Sequence, residues 1–143
     1  MLMGEYQHNL DAKGRLIMPA KLRSDLGGAF VVTRGLDGCI FGYPMENWEK
    51  LKLKLEKLPL GNKKARELTR FFFSAATEVE IDKQGRINLP QTLLEFATID
   101  KECRVIGVSD RIEIWSNERW NEMVNDTVEN FDEIAEGMID FDF

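Results

Sequence analysis

The chain has 143 residues, 43% of them hydrophobic, with 25 acidic against 19 basic side chains for a net charge of −6, and two cysteines. That is apolar material enough for one compact domain or two small ones sharing a core. Two isolated cysteines exclude a disulfide scaffold. The absence of both an apolar run of about 18 to 20 residues and a basic-then-apolar leader points to a soluble, cytoplasmic protein with no membrane partner.

Residues 5–10 alternate polar and apolar side chains, as a half-buried strand does. Asp11-Ala12-Lys13-Gly14 supplies turn chemistry, returning the chain into a short strand from Arg15. Pro19 opens a short helix over residues 20–26 that Gly27-Gly28 stops. A hairpin follows, with strands at 30–33 and 39–43 around Gly35-Leu36-Asp37-Gly38. Trp48, Leu51, Leu55 and Leu58 mark a helix ended by Pro59, and Ala65, Leu68, Phe71, Phe72, Ala75 and Ala76 mark a second. The order then repeats: strand 77–81, turn 82–85, strand 86–89, helix 90–97, and a hairpin at 104–109 and 112–115. Trp120, Met123, Val124, Val128, Phe131, Ile134 and Met138 share one face of a C-terminal helix whose other face is acidic. That apolar stripe is expected to be ordinary core.

The repetition is explicit in the residues. Asp11-Ala12-Lys13-Gly14-Arg15-Leu16-Ile17-Met18-Pro19 returns as Asp82-Lys83-Gln84-Gly85-Arg86-Ile87-Asn88-Leu89-Pro90, with Asp, Gly, Arg and Pro in register at an offset of 71. Further on, Tyr43-Pro44-Met45-Glu46-Asn47-Trp48 lines up with Trp115-Ser116-Asn117-Glu118-Arg119-Trp120. A tandem duplication is the economical explanation, with two supersecondary units facing each other about a pseudo-twofold axis. The units are placed at 1–60 and 77–143, joined by a connecting helix over 61–76.

Each Asp-x-x-Gly-Arg tip has a chemical logic. Asp11 and Asp82 tie down loop amides, Gly14 and Gly85 allow the sharp turn, and Arg15 and Arg86 offer planar forks suited to phosphate or to guanine O6 and N7. The plain alternative is that both arginines serve structural ion pairs with Asp11 and Asp82. Duplication favours the binding reading, since two identical tips can track a repeated polymer. Lys13 and Lys83, read as matched positions on those tips, add phosphate-binding charge. The overall acidity hides an asymmetry: residues 1–76 carry 13 bases against 8 acids, whereas 77–143 carry 6 against 17. Charges separated by more than a Debye length of about 8 Å barely interact, so an acidic face and a basic face can coexist.

An enzyme is disfavoured by inventory. His8 is the only histidine, and neither a nucleophile–base arrangement, a phosphate loop nor a metal-ligand spacing is present, so no catalytic residue, metal or cofactor is expected. Cys39 and Cys103 occupy non-equivalent places in the repeat and are expected to be buried reduced thiols.

Met3-Gly4-Glu5-Tyr6, both Asp-x-x-x-Arg motifs, the segment from Thr33 to Pro44, Arg70-Phe71-Phe72-Phe73-Ser74-Ala75-Ala76 and Arg111-Ile112-Glu113-Ile114-Trp115 together resemble the bacterial MraZ family, from the first residues to the acidic tail. The paired motif is shared with the wider AbrB-like group, whereas the Thr33–Pro44 and Arg70–Ala76 segments are more specific. The resemblance implies an α+β fold in which two AbrB-like halves form a tandem swapped-hairpin β-barrel with short helices, plus the acidic C-terminal helix. It implies a nucleoid-associated transcriptional regulator, an autorepressor that binds short direct repeats in double-stranded DNA upstream of its own gene in the division and cell-wall cluster. It also implies a homo-oligomer closed into a ring, with the family's signature residues falling on Asp11, Arg15, Asp82 and Arg86. The alternative is a ring-forming assembly or adaptor protein without DNA readout.

Overall fold

The computed structural model describes residues 1–140; the end of the acidic tail, Asp142 included, lies outside the described residues. The elements run β1 (Leu2–Asn9), β2 (Arg15–Ile17), α1 (Ala20–Leu26), β3 (Ala29–Arg34), β4 (Ile40–Pro44), α2 (Met45–Glu56), α3 (Lys63–Ala75), β5 (Thr77–Glu80), β6 (Arg86–Asn88), α4 (Gln91–Phe96), β7 (Glu102–Ser109), β8 (Ile112–Ser116) and α5 (Asn117–Glu136). Local chemistry sets the boundaries. Pro19, Pro44 and Pro90 stand at the residue before α1, α2 and α4, their fixed φ leading into each helix. Asn62 caps α3 by accepting from the Ala65 amide at 3.1 Å, and Ser116 caps α5 by accepting from the Arg119 amide at 3.1 Å.

The main sheet has six antiparallel strands in the order β1-β7-β8-β4-β3-β5, and β2 and β6 form a separate two-stranded ribbon. Neither repeat builds a sheet alone. β1 of the first repeat pairs along its whole length with β7 of the second, from Leu2 opposite Ser109 to Asn9 opposite Glu102. Conversely, β5 of the second pairs with β3 of the first, from Ala29 opposite Glu80 to Val32 opposite Thr77. This exchange is the swapped-hairpin architecture implied by the family resemblance. β1 starts earlier than the alternation at 5–10 suggests, because β7 supplies a ladder that no local pattern records.

Alternation along the strands splits the core in two. Leu16, Met18, Leu22, Phe30, Val32, Ile40, Ile87, Leu93, Ile112 and Ile114 are buried between the sheet, the ribbon, α1 and α4. Val31, Cys39, Phe41, Tyr43, Trp48, Leu55, Phe72 and Trp115 pack on the other face beneath α2, α3 and the start of α5. The specific sequence segments hold one another here. Thr33 Oγ1 donates to the Phe72 carbonyl at 2.6 Å, Arg34 stacks 5.3 Å from the Phe71 ring centroid, and Arg111 stacks 4.7 Å from that of Phe41. Both cysteines are free and buried; burial pushes the Cys103 thiol up to about 12 and raises that of Cys39 as well.

The C-terminal stripe departs from the expectation of ordinary core. Trp120 and Met123 do pack against the second core. Further along α5, Val128 is 71% exposed and Phe131 and Ile134 are exposed too, since among the described residues the second core takes only Trp120 and Met123 from this helix; Met138, also exposed, lies past the end of α5 at Glu136. Periodicity identifies the apolar face of a helix; it does not say what covers that face.

Candidate nucleic-acid interface

The two tips are built alike. In the first, Asp11 Oδ1 accepts from the amides of Lys13 and Arg15, both at 2.9 Å, while Oδ2 accepts from Arg15 Nε at 2.7 Å. In the second, Asp82 Oδ1 accepts from the amides of Gln84 and Arg86, both at 2.9 Å, and Oδ2 from Arg86 Nε at 2.9 Å. The donated Arg15 amide, with the side-chain and Lys13 contacts adding to it against the opposing effect of desolvation, holds the Asp11 carboxyl down at about 2; the Asp82 carboxyl is lowered in the same way. Gly14 and Gly85 adopt φ of 77° and 81°, a conformation that costs a residue with a Cβ about 1–2 kcal/mol.

The structural ion pair and an outward-facing arginine are therefore compatible. Each Asp engages its arginine through Nε, and neither Nη group of Arg15 or Arg86 has a hydrogen-bond acceptor among the described residues. The guanidiniums are steered rather than consumed, with side-chain exposures of 31% and 26%.

The two tips meet through the ribbon. β2 and β6 pair antiparallel with Leu16 opposite Ile87 at the centre, Arg15 opposite Asn88 and Ile17 opposite Arg86. Leu16 and Ile87 are buried, so Arg15, Ile17, Arg86 and Asn88 stand together on the ribbon's other face. Arg15 and Arg86 are diagonal neighbours there, a relation that spans about 7–8 Å in an antiparallel pair. Reciprocal bonds lock the ribbon to the loops: the Met18 amide donates to the Gly85 carbonyl at 2.8 Å, and the Leu89 amide to the Gly14 carbonyl at 3.2 Å. These four residues correspond pairwise at the offset of 71, which is the pseudo-twofold expressed in hydrogen bonds.

Symmetry fails at several side chains. Lys13 occupies the position of Gln84, and Lys83 that of Ala12, so the two lysines sit on the same tips but not at matched positions as first read. Arg23, whose counterpart is Leu94, donates from Nε to the Met18 carbonyl at 2.8 Å and lays its guanidinium directly over Gly85. Leu94 lies against Gly14 in its place. Ile17, Asn88 and Arg23 are the ribbon-face and tip residues that motif reading missed. Their signal was the offset itself, which pairs Ile17 with Asn88 and Arg23 with Leu94.

The acidic side chains of α5 are exposed from Glu118 to Glu136, and that helix packs on the face of the sheet opposite the ribbon. His8 is half-buried on β1, opposite Cys103. Among the described residues, no group of three or more His, Cys, Asp or Glu side chains is placed to hold a metal, and no helix is long and apolar enough to cross a membrane.

Comparison with known proteins covers the whole chain. A family model described as "MraZ protein, putative antitoxin-like" matches twice, over residues 1–71 and 72–142. The chain is 62% identical over 142 residues to a protein of Ligilactobacillus salivarius (strain UCC118) named Transcriptional regulator MraZ, covering 99% of each chain. It is 59% identical over 142 residues to a protein of the same name from Limosilactobacillus reuteri (strain DSM 20016), covering 99% of this chain and 100% of the relative.

Proposed function

Because the chain belongs to the MraZ family, we propose that it is a sequence-specific DNA-binding transcriptional regulator whose ribbon face meets double-stranded DNA. The observation that carries this reading is the convergence of two separately encoded Asp-x-x-x-Arg tips on one face of the ribbon, each guanidinium held by its Nε and partly exposed, with its Nη groups unbonded among the described residues. A two-stranded ribbon fits the major groove, about 12 Å wide, and an Arg fork matches guanine O6 and N7. In this reading Arg15, Arg86, Lys13 and Lys83 contact DNA, Arg23 adds charge at the second tip, and Asp11, Gly14, Asp82 and Gly85 organise the loops. The regulator acts in the cytoplasm on the nucleoid, as an autorepressor at short direct repeats upstream of its own gene in the division and cell-wall cluster.

We further propose that protomers associate head to tail and close into a ring. The uncovered stripe of Val128, Phe131, Ile134 and Met138 is flanked by acids, and the groove between α2 and α3 is largely apolar, lined by Leu55, Leu58, Pro59 and Leu60, with two bases, Arg66 and Arg70, against one acid, Glu56. Two different surfaces with complementary charge give a heterologous contact, the kind that generates rings. A ring would also present several ribbons to successive repeats, raising effective concentration at each.

A gel shift with the DNA upstream of the chain's own gene tests the regulator reading. A shifted band that resists excess unrelated duplex is expected. Self-association without a shift would leave the adaptor alternative, which the α5 stripe equally supports.

A further inference from the structure

The ribbon face is not symmetric, and its asymmetry coincides with a hollow. Beside the first tip lies an open polar hollow of about 550 Å³ bounded by Lys13, Gly14, Asn88 and Gln91. Asn88 is exposed, and its carboxamide has no hydrogen-bond partner among the described residues. Around the second tip, the positions of Asn88 and Gln91 are taken by Ile17 and Ala20, and the Arg23 guanidinium covers Gly85. One tip thus offers an unengaged amide beside a polar hollow, and the other offers an exposed aliphatic side chain beside a roofed glycine.

We infer that the hollow at the first tip is a base-reading pocket in which the Asn88 carboxamide takes the major-groove edge of an adenine, while Ile17 at the second tip takes a thymine methyl. The inference rests on the DNA-binding reading proposed above. A carboxamide presents one acceptor and one donor pair, complementary to adenine N6–H and N7, and an aliphatic side chain suits the C5-methyl of thymine. Placement agrees with this assignment. Asn88 stands directly opposite Arg15, and Ile17 directly opposite Arg86, so each pairs a fork with a second reader. Cross-strand partners are about 4.5–5.5 Å apart at Cβ, which matches side chains reaching neighbouring bases stacked about 3.4 Å apart on a strand. Gln91, whose Nε2 lies 3.5 Å from Glu95 Oε1, and Lys13 line the same hollow, where they meet the sugar-phosphate rim. One protomer then reads an element whose halves differ, guanine with adenine at one tip and guanine with thymine at the other. Such an element has a direction, as direct repeats require and palindromes do not.

Selection from a duplex library randomised over the length of one repeat tests this, using the wild type, Asn88→Ala and Asn88→Ile. The wild type is expected to enrich a motif with guanine columns and one adenine column adjacent to a guanine. Asn88→Ala is expected to lose that adenine column alone and to bind the wild-type motif at least about fivefold more weakly. Asn88→Ile, which copies the residue at position 17, is expected to replace adenine by thymine there. Since Asn88 is exposed and unbonded among the described residues, both variants should fold, which circular dichroism melts would check. An unchanged motif in Asn88→Ala overturns the pocket and leaves the regulator reading standing; failure of the wild type to enrich any motif overturns both.

Discussion

At the residue scale, the two glycines of the tips separate backbone strain from packing. Both need positive φ, yet a Cβ on Gly85 would overlap the Arg23 guanidinium, whereas one on Gly14 meets nothing closer than 3.8 Å. Gly14→Ala should therefore cost about 1–2 kcal/mol, the strain alone, and Gly85→Ala more. Adding Arg23→Ala to Gly85→Ala should bring its urea midpoint back toward that of Gly14→Ala. Asp11 carries a second residue-scale prediction. Its folded-state carboxyl, held at about 2 by the Arg15 amide first of all, lies below the ordinary value of about 3.9. The ionised loop thus contributes stability that is present above pH about 3.9 and is lost as pH falls through about 2. Asp82, lowered in the same direction, adds to it. Thermal melts between pH 5 and 2 should show the wild type losing more than Asp11→Asn/Asp82→Asn, whose side chains do not titrate; equal slopes would mean the loops contribute nothing ionic.

At the scale of elements, much was legible in the sequence because the signals are local. The Asp-x-x-Gly turns, the Pro entries and the Gly27 stop fix β2, α1, β6 and α4, and the helix marked by Trp48, Leu51 and Leu55 is α2. What the residues alone withheld is non-local. The exchange of β1 and β5 between repeats, the pairing of β2 with β6 and hence the company of Ile17 and Asn88 on the arginine face depend on strands far apart in the chain, from Val32 opposite Thr77 to Leu2 opposite Ser109. The ribbon centre offers the test at this scale. Leu16 and Ile87 are buried opposite each other on the pseudo-twofold, so truncating either to Ala should cost about 2–5 kcal/mol. Both variants should still unfold in one transition by chemical denaturation, because each repeat's sheet is completed by the other; two separate transitions would show the repeats to be independent.

For the whole molecule, the sheet divides two jobs. One side carries the ribbon and its arginines, and the other carries α2, α3 and the acidic α5, whose stripe past Thr127 is left uncovered. If that stripe docks on the α2–α3 groove of the next protomer, Phe131→Asp should reduce the assembly to smaller species by sedimentation velocity while leaving the melting temperature of the protomer nearly unchanged, since Phe131 is half-exposed. An unaltered sedimentation profile would place the interface elsewhere. The acidic groups of α5, standing on the side away from the ribbon, would also penalise DNA approaching the wrong face. Changing Glu122, Asp126, Glu129 and Glu133 to Gln tests that role through non-specific DNA affinity, which should rise and become more salt-dependent.

In the function proposed for this protein, the duplicated arginines on the ribbon are its DNA-contacting groups. Fluorescence anisotropy titrations of the upstream duplex with the wild type, Arg15→Ala, Arg86→Ala and the double variant, each shown folded by its melting curve, test it most directly. Each single substitution is expected to lose about 1–3 kcal/mol per engaged protomer, and the double variant to fall to weak, sequence-independent binding. Wild-type affinity in a folded double variant would contradict the account and return both arginines to the structural pairs with Asp11 and Asp82 alone.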